Sequence, residues 1–262
     1  MSRLKLGELD HINAVNTVLY EQAMTSTSDL AKQKLTAKGT IPPLPMLVIC
    51  DRQTSGRGQP GKSWSSDQSS LTFTWCDSKK NIRTNDSLLP LIVGASVCEA
   101  LELLEIPNAK LKWPNDVMLD QRKVCGILVE KIPVDDDSVF LIGIGINLNQ
   151  NEADLKKLAI ESNRFQPGSL RIAARKIVDA QTVLETVLAR LHENVRTSAD
   201  WVSRIEARML FLNERIEFAR PNSNPNPNGE MVTGELLGID ADGQIRIQTE
   251  SEVATLASGQ IL

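Results

Sequence analysis

Lys110-Leu-Lys-Trp-Pro-Asn-Asp116, followed at once by Val117 to Gln121 and then by Arg122-Lys-Val-Cys-Gly-Ile-Leu-Val-Glu130, is the stretch on which the fold turns. The spacing predicts a strand from Ala109 to Trp113, stopped by Pro114, whose ring removes an amide donor and fixes φ. Asn115 and Asp116 then stand at the strand exit. A hairpin through Asp120-Gln-Arg-Lys123 would bring Lys112, Asp116 and Lys123 together. Taken alone, Asn115-Asp116 is equally a solvated turn and Lys123 a hairpin-tip lysine. Further strands are expected at Val124 to Ile132 and Val139 to Asn149, joined by the turn Pro133 to Asp137, and such short connections make antiparallel pairs. Gly143 and Gly145, in Leu-Ile-Gly-Ile-Gly-Ile-Asn147, allow either a ligand or a neighbouring chain to lie close to the strand.

Working outward, Leu71-Thr-Phe-Thr-Trp75 alternates with period two and puts Leu71, Phe73 and Trp75 on one strand face. Met46-Leu-Val-Ile-Cys50 reads as a buried strand after the breakers Pro42, Pro43 and Pro45. Ser26, Thr27 and Ser28 precede Asp29 as a helix start in which a hydroxyl caps free amides. Ser87 to Ile106, with Pro90 in its first turn, carries Leu91, Ala95, Cys98 and Leu101 at helical spacing and reads as the main core helix. Residues 169 to 210 are expected to be helical, with Val183, Leu184, Val187, Leu188 and Leu191 in one stripe and Trp201, Val202 and Ile205 in another. After Asn213 the pattern changes to short strands (Ile216 to Ala219, Met231 to Leu237, Gln244 to Gln248, Glu252 to Leu256), with Asp242-Gly243 as a tight turn. The run Pro221 to Gly229 reads as a hairpin loop. These elements predict an α+β chain divided into residues 1–212 and a small β module, 213–262.

The most chemical stretch is Asp51-Arg-Gln-Thr-Ser-Gly-Arg-Gly-Gln-Pro-Gly-Lys-Ser-Trp64. Gly56, Gly61, Lys62 and Ser63 fall at the positions of a phosphate-binding G-x-x-x-x-G-K-S loop, but the residues after Trp64 are polar and then strand-like, where such a loop must open a helix. Glycines that permit close approach, with Arg57 and Lys62 among them, still suit a polyanionic ligand, against the plainer reading of an exposed turn.

Composition narrows the classes. Of 262 residues, 29 are Lys or Arg and 33 Asp or Glu, a formal charge of −4, so no overall positive field draws nucleic acid or anionic membrane. Five Phe, four Trp and one Tyr are too few for a stacking platform on single strands. The N-terminus lacks an apolar export segment, no stretch is long enough to span a bilayer, and a cytoplasmic chain is expected. Cys50, Cys76, Cys98 and Cys125 lack metal or redox spacing and read as buried reduced thiols. His11 and His192 read as surface or packing residues. No Ser/His/Asp or Cys/His system is legible, and no residue is assigned as a metal ligand.

Together these segments resemble the biotin protein ligase family, also called biotin–[acetyl-CoA-carboxylase] ligase. The matching pieces are Ser26-Thr27 before a helix, Gln53-Thr-Ser-Gly-Arg-Gly58 with Trp64, Lys112-Trp-Pro-Asn-Asp116, Arg122 to Glu130, and Gly143-Ile-Gly-Ile-Asn147. The resemblance implies a catalytic domain like class II aminoacyl-tRNA synthetases, with a mixed, largely antiparallel sheet, followed by an SH3-like barrel. It implies that ATP, with Mg²⁺, and biotin form biotinyl-5′-AMP, from which biotin passes to a lysine of a biotin carboxyl carrier protein of acetyl-CoA carboxylase or another biotin-dependent carboxylase. A homodimer is an allowed assembly.

By the same resemblance, Arg57, Lys112, Lys123 and Asp116 are the catalytic candidates. Ser26, Thr27, Ser28, Gln53, Gly56, Arg57, Gly58, Gln59, Lys123 and Gly126 would hold biotin. Arg57, Trp64, Lys112, Asn115, Asp116 and Asn147 would hold ATP. The chain departs from the family where Gln59 and Pro60 replace basic residues and Ser28 replaces Asn, and the 25 residues before Ser26 leave no room for the winged helix-turn-helix of bifunctional members. A lipoate or octanoate ligase or transferase of the same superfamily, and a non-catalytic biotin-binding module, are the competing readings.

Overall fold

The computed structural model describes Leu4 and residues 14–158, 165–220 and 231–262; His11 and the run Pro221 to Gly229 lie outside the described residues. In chain order the elements are β1 (Thr17–Met24), α1 (Thr27–Thr36), β2 (Met46–Gln53), β3 (Gly56–Arg57), β4 (Ser63–Trp64), β5 (Ser70–Ser78) and α2 (Leu89–Leu103). Then come β6 (Lys110–Lys112), β7 (Asp116–Leu119), β8 (Arg122–Val134), β9 (Asp137–Asn147), α3 (Glu152–Leu158), α4 (Leu170–Ala174), α5 (Ala180–Arg196) and α6 (Trp201–Glu206). Five strands finish the chain: β10 (Arg215–Ala219), β11 (Met231–Ile239), β12 (Ile245–Gln248), β13 (Val253–Leu256) and β14 (Gln260–Ile261).

The architecture is α+β with a seven-stranded mixed sheet in the order β1-β2-β5-β9-β8-β7-β6, parallel at β1–β2 and antiparallel elsewhere. Alternation along the strands decides what lies on each face. Leu71, Phe73 and Trp75 of β5, Ile142, Ile144 and Ile146 of β9 and Ile127 of β8 point to one side, where Val93, Val97 and Leu101 of α2 and Val183, Val187 and Leu191 of α5 bury them. On the other side, Ala31 and Leu35 of α1 cover Met46, Val48, Cys76 and Leu141. Because both faces of β2 and β5 are covered, these strands are buried along nearly their whole length. The second sheet, β13-β12-β11-β10-β14, packs Ile216, Phe218, Leu236 and Ile247 against Leu91, Ile92 and Ala95 of α2 and against Trp113. Trp113 Nε1 donates to the Gly243 carbonyl at 2.9 Å in the Asp242-Gly243 turn, where Gly243 has φ +75°.

Several expectations are corrected. Ser26 takes the N-cap position of α1 but its hydroxyl makes no cap bond; the Gln53 side chain accepts from the Thr27 amide instead, at 2.7 Å. β1 carries no alternation by which to read it, since Tyr20, Glu21, Gln22 and Ala23 are exposed in unbroken succession. The helical stretch 169–210 is three helices, broken where Arg175 adopts a left-handed conformation (φ 54°) and at the extended cap Thr197. β7 and the short β14 add to the expected strands, and β9 ends at Asn147 rather than Asn149. All four cysteines are free and buried, and burial pushes the Cys50 and Cys98 thiols up to about 12. His192 is half-buried, packs edge-on to Trp75 with centroids 6.5 Å apart, and is held below its ordinary pKa by burial and by Arg196.

α2, α5 and α6 are tied by Glu99, which accepts from Asn194 at 2.9 Å and from Arg190 and Arg204 at 3.2 and 2.6 Å. Burial pushes this carboxyl up, but those hydrogen bonds outweigh it and hold Glu99 below its ordinary value of 4.5. A depressed carboxylate stabilises the fold above the unfolded-state pKa, and that stability is lost as pH falls through the folded value. Glu99→Gln should therefore cost about 1.5–3 kcal/mol at pH 7 and flatten the acid side of the stability profile, read from urea midpoints between pH 3 and 7. An unchanged pH slope would remove Glu99 from that role.

Candidate functional site

On the α1 side of the large sheet the strand registers place one residue from each of six strands in a continuous row: Lys112, Asp116, Gly126, Gly145, Thr72 and Cys50. The neighbouring row contributes Leu128, Gly143 and Thr74. The isoleucines that alternate with these glycines are spent on the opposite face. The result is a sheet with large side chains on its packed side and almost none on this one. α1 covers part of that bare face, and the β3–β4 hairpin of the glycine loop folds over the rest.

A cavity of about 450 Å³ lies between them. Of the residues expected from sequence, Ser26, Thr27, Ser28, Gln53, Arg57, Gly58, Gln59, Trp64, Lys112, Asn115, Asp116, Lys123 and Gly126 all line it. Gly56 is not a wall residue. It pairs with Trp64 so closely that a Cβ there would stand 2.6 Å from Gln53 Nε2. Asn147 is also off the wall: it is buried, and its Nδ2 donates to the Lys123 carbonyl at 3.4 Å. The loop after Lys62 runs into β4 rather than a helix, so the phosphate-loop arrangement of nucleotide triphosphatases is absent.

One end of the cavity is neutral and polar. Gln53 Oε1 accepts from the amide and the hydroxyl of Thr27 at 2.7 and 3.1 Å; Thr74 Oγ1 donates to Thr27 Oγ1 at 2.8 Å and lies 3.1 Å from Ser28 Oγ. Such a chain of hydroxyls and an amide presents fixed donors and acceptors to an uncharged polar ring. The other end is cationic. Arg57, Lys62, Lys112 and Lys123 line the wall with Asp116 as the carboxylate side chain among the described lining residues, a local reversal of the chain's net charge. Lys123 Nζ lies 2.6 Å from Asp116 Oδ1 and 5.8 Å from the Trp64 ring centroid. A one-residue bulge in β8 opposite Val117 and Met118 places Lys123 there, and its main chain is pinned by Gln166 and Gly168 at 2.9 and 2.8 Å. Lys112 is buried with Nζ 4.6 Å from the Phe165 ring centroid. Asn115 is locked to β8, its Nδ2 donating to the Ile127 carbonyl at 2.6 Å and its own carbonyl accepting from the Ile127 amide at 3.0 Å.

Trp64 lies across Gly126 and Gly145. A Cβ at Gly126 would come within 2.9 Å of the indole Cζ3, and one at Gly145 within 2.6 Å of Nε1. The indole Nε1–H is buried without a hydrogen-bond partner. Sequence reading missed seven further residues at or beside the cavity. Thr72 and Thr74 were visible as the polar half of the β5 alternation. Phe165 and the Gln260–Leu262 end of the second sheet, which also line the cavity, gave no signal, because they arrive from distant parts of the chain. Glu130 closed the quoted motif, yet its partner was not deducible: it takes Arg57 in a two-pronged bond at 3.1 and 2.7 Å.

A cavity with a neutral hydrogen-bonding end and a cationic end is built to hold an uncharged polar ring beside an anionic group, the pairing expected of a ligand-joining protein. The chain belongs to the biotin/lipoate A/B protein ligase family, whose pattern it matches over residues 20–149. The biotin protein ligase from Aquifex aeolicus in complex with biotin and ATP superposes with a TM-score of 0.74 at 31% identity, covering 94% of this chain and 98% of that one. The bifunctional ligase/repressor BirA of Bacillus subtilis is 26% identical over 253 residues, 93% of this chain and 73% of the relative. The biotin–[acetyl-CoA-carboxylase] ligase of Mycobacterium tuberculosis is 24% identical over 229 residues, 83% of this chain and 78% of the relative. No helix of the described residues is long and apolar enough to cross a membrane.

Gly145→Ala should drive the indole of Trp64 off the sheet at a cost of about 1–3 kcal/mol. The change should show as a lower melting temperature and an altered tryptophan emission spectrum, compared with Trp64→Phe as the reference for that one indole. A spectrum and melting temperature equal to those of the parent would refute the stacked placement.

Proposed function

We propose that the chain is an ATP-dependent biotin protein ligase that makes biotinyl-5′-AMP and then transfers biotin to a lysine of a biotin carboxyl carrier protein. The observation that carries this reading is the joining of the hydroxyl–amide end and the four-cation end in one cavity over a glycine floor. Relatives named biotin–[acetyl-CoA-carboxylase] ligase support the choice of biotin over lipoate and the carboxylase carrier as the acceptor.

In the first step a biotin carboxylate oxygen bonds to the α-phosphorus of ATP, and the bond to the bridging oxygen breaks with its electron pair leaving on pyrophosphate. The obstacle is repulsion between anions. Arg57, Lys112 and Lys123 offset it from fixed positions in a half-enclosed site, where such charges act more strongly than in water. Ser26, Thr27, Ser28 and Gln53 hold the ureido ring, and Gly58, Gln59 and Gly126 flank the chain and linkage. In the second step a carrier lysine amine attacks the acyl carbon, AMP leaves, and Asp116 is placed to take the amine proton. Trp64, Asn115 and Asn147 complete the nucleotide side, Asn115 and Asn147 by holding the Lys123-bearing strand and Trp64 by offering its outer face.

Mg²⁺ fits as an ion delivered with the nucleotide. No group of three or more His, Cys, Asp or Glu able to cage a metal occurs among the described residues, whereas Mg²⁺ is commonly held by one or two carboxylates plus substrate phosphates, a role open to Asp116. It would supply charge neutralisation on the phosphates. We further read residues 1–212 as the catalytic unit of the class II synthetase-like type, residues 213–262 as an SH3-like module, and the setting as cytoplasmic.

Incubation with ATP, biotin and a carrier domain should add one biotinyl group to the carrier lysine by mass spectrometry, and lipoate should not replace biotin. Lys123→Ala should keep the fold but lose about 2.7–4 kcal/mol in kcat of adenylation, roughly 100- to 1,000-fold. An unmodified carrier, or full activity in the variant, would reject the reading or the role. Gln59 and Pro60 leave the loop two charges poorer than the basic loop the family resemblance implies, so the adenylate should be held less tightly. Gln59→Arg should slow its dissociation, measured by chasing labelled adenylate, and an equal rate would reject that view.

A further inference from the structure

Glu130 extends the cavity-face row of β8, two residues beyond Leu128 and four beyond Gly126, and is paired across the sheet with Leu141. Its carboxylate sits outside the cavity wall but reaches Arg57 of β3, with Nη1 to Oε1 at 3.1 Å and Nη2 to Oε2 at 2.7 Å. Asp29 of α1 adds a third contact, its Oδ1 lying 2.9 Å from Arg57 Nε. Arg57 side-chain exposure is 35% and that of Glu130 25%, so the pair is partly shielded from water. A guanidinium has five N–H groups in a rigid fork. With its end face taken by Glu130 and Nε facing Asp29, one N–H on each Nη remains, and Arg57 is among the residues lining the cavity.

Resting on the ligase reading, we propose that Glu130, assisted by Asp29, is the positioning residue for Arg57: it fixes the guanidinium at the cavity wall so that its two unspent N–H groups meet the carboxylate or the adenylate linkage. Glu130 itself touches no substrate. Two physical needs converge on this clamp. Arg57 stands on a two-residue strand in a glycine-rich hairpin that would otherwise let the side chain wander among its rotamers, whose freedom is costly to freeze at the moment of binding. It also shares the cavity with Lys62, Lys112 and Lys123, whose repulsion would drive an uncompensated guanidinium outward. A two-pronged carboxylate from the rigid sheet answers both.

The test compares Glu130→Gln, Glu130→Asp and the parent, each with Arg57 present and with Arg57→Ala. Three quantities are read: KM for biotin and kcat in ATP–pyrophosphate exchange, the dissociation rate of the adenylate, and the rate of tryptic cleavage after Arg57 and Lys62 without ligands. Glu130→Gln should raise KM for biotin and the adenylate dissociation rate about tenfold or more, the effect of losing a charge-assisted bond. It should speed cleavage in the loop, change nothing further once Arg57 is Ala, and be partly rescued by Glu130→Asp. Equal effects with and without Arg57 would show a merely structural carboxylate and overturn the proposal, as would unchanged kinetics. Tighter adenylate in Glu130→Gln would overturn it too, by showing that Glu130 competes with substrate for Arg57. A parent protein that forms no adenylate would refute the ligase reading, while the cleavage rates would still decide whether Glu130 holds the loop.

Discussion

One cross-strand row forms the floor of the cavity: Lys112, Asp116, Gly126, Gly145 and Thr72, side by side on five neighbouring strands. Because side chains alternate along a strand, the residues between them, among them Ile127, Ile144, Ile146 and Phe73, must face the opposite side, and there they form the core under α2 and α5. The bare face and the packed face are therefore one pattern. A slip of one residue in the pairing of β8 and β9 would send isoleucines into the cavity and glycines into the core, so register is set by the same burial that stabilises the sheet. The glycines are useful because they make a floor low enough for an indole or a ligand to lie on the backbone.

The second requirement is charge, and here the chain works against its own average. With a net charge of −4 it still sets four cationic side chains around one cavity, and it does so by giving them companions. Lys123 has Asp116, Lys112 lies under the Phe165 ring, Lys62 donates to Gln260 at 2.9 Å, and Arg57 is shared between Glu130 and Asp29. Asp116, Glu130 and Asp29 offset the repulsion among the cations, while Phe165 and Gln260 hold Lys112 and Lys62 in position. When an acid and a triphosphate arrive, the cations are already in place, and little reorganisation is left to be done during the reaction, which is the condition under which electrostatic stabilisation is most effective.

The strands and both main helices were legible because their periodicities are strong: Leu71, Phe73 and Trp75 alternate, and Val183, Val187 and Leu191 recur at helical spacing. The motif residues were legible because Pro114 and the glycines restrict the backbone in ways few other residues do. What could not be read depended on contacts between distant positions. β1 is an edge strand with Tyr20 half out in solvent, held by pairing with β2 rather than by its own alternation. Asn147 had the right neighbours in sequence, but its side-chain amide is spent on the Lys123 carbonyl and does not line the cavity. The cap at Ser26 failed for a similar reason. Gln53, far along the chain, reaches the Thr27 amide first, so the capping need at α1 becomes part of the polar end of the site.

The second sheet belongs to the same logic. α2 is buried almost all round because it serves two cores: Val93, Val97 and Leu101 against the large sheet, Leu91, Ile92 and Ala95 against the small one. Trp113, one residue past Lys112, adds its bond to Gly243, so the strand end that carries Lys112 and leads to Asp116 is anchored in the small sheet. At the far edge of that sheet Gln260 reaches Lys62 in the glycine loop, and Ile261 and Leu262 close the cavity beside it. The loop is thus held from two directions, by Glu130 in the large sheet and by Gln260 in the small one. Between those anchors the tip that carries Gln59 and Pro60 is itself closed by two backbone bonds, Gly58 N–H to the Lys62 carbonyl at 3.0 Å and Lys62 N–H to the Gln59 carbonyl at 2.8 Å, so the glycine loop stands over the cavity as a supported hairpin and Arg57 and Lys62 keep their places on its two sides.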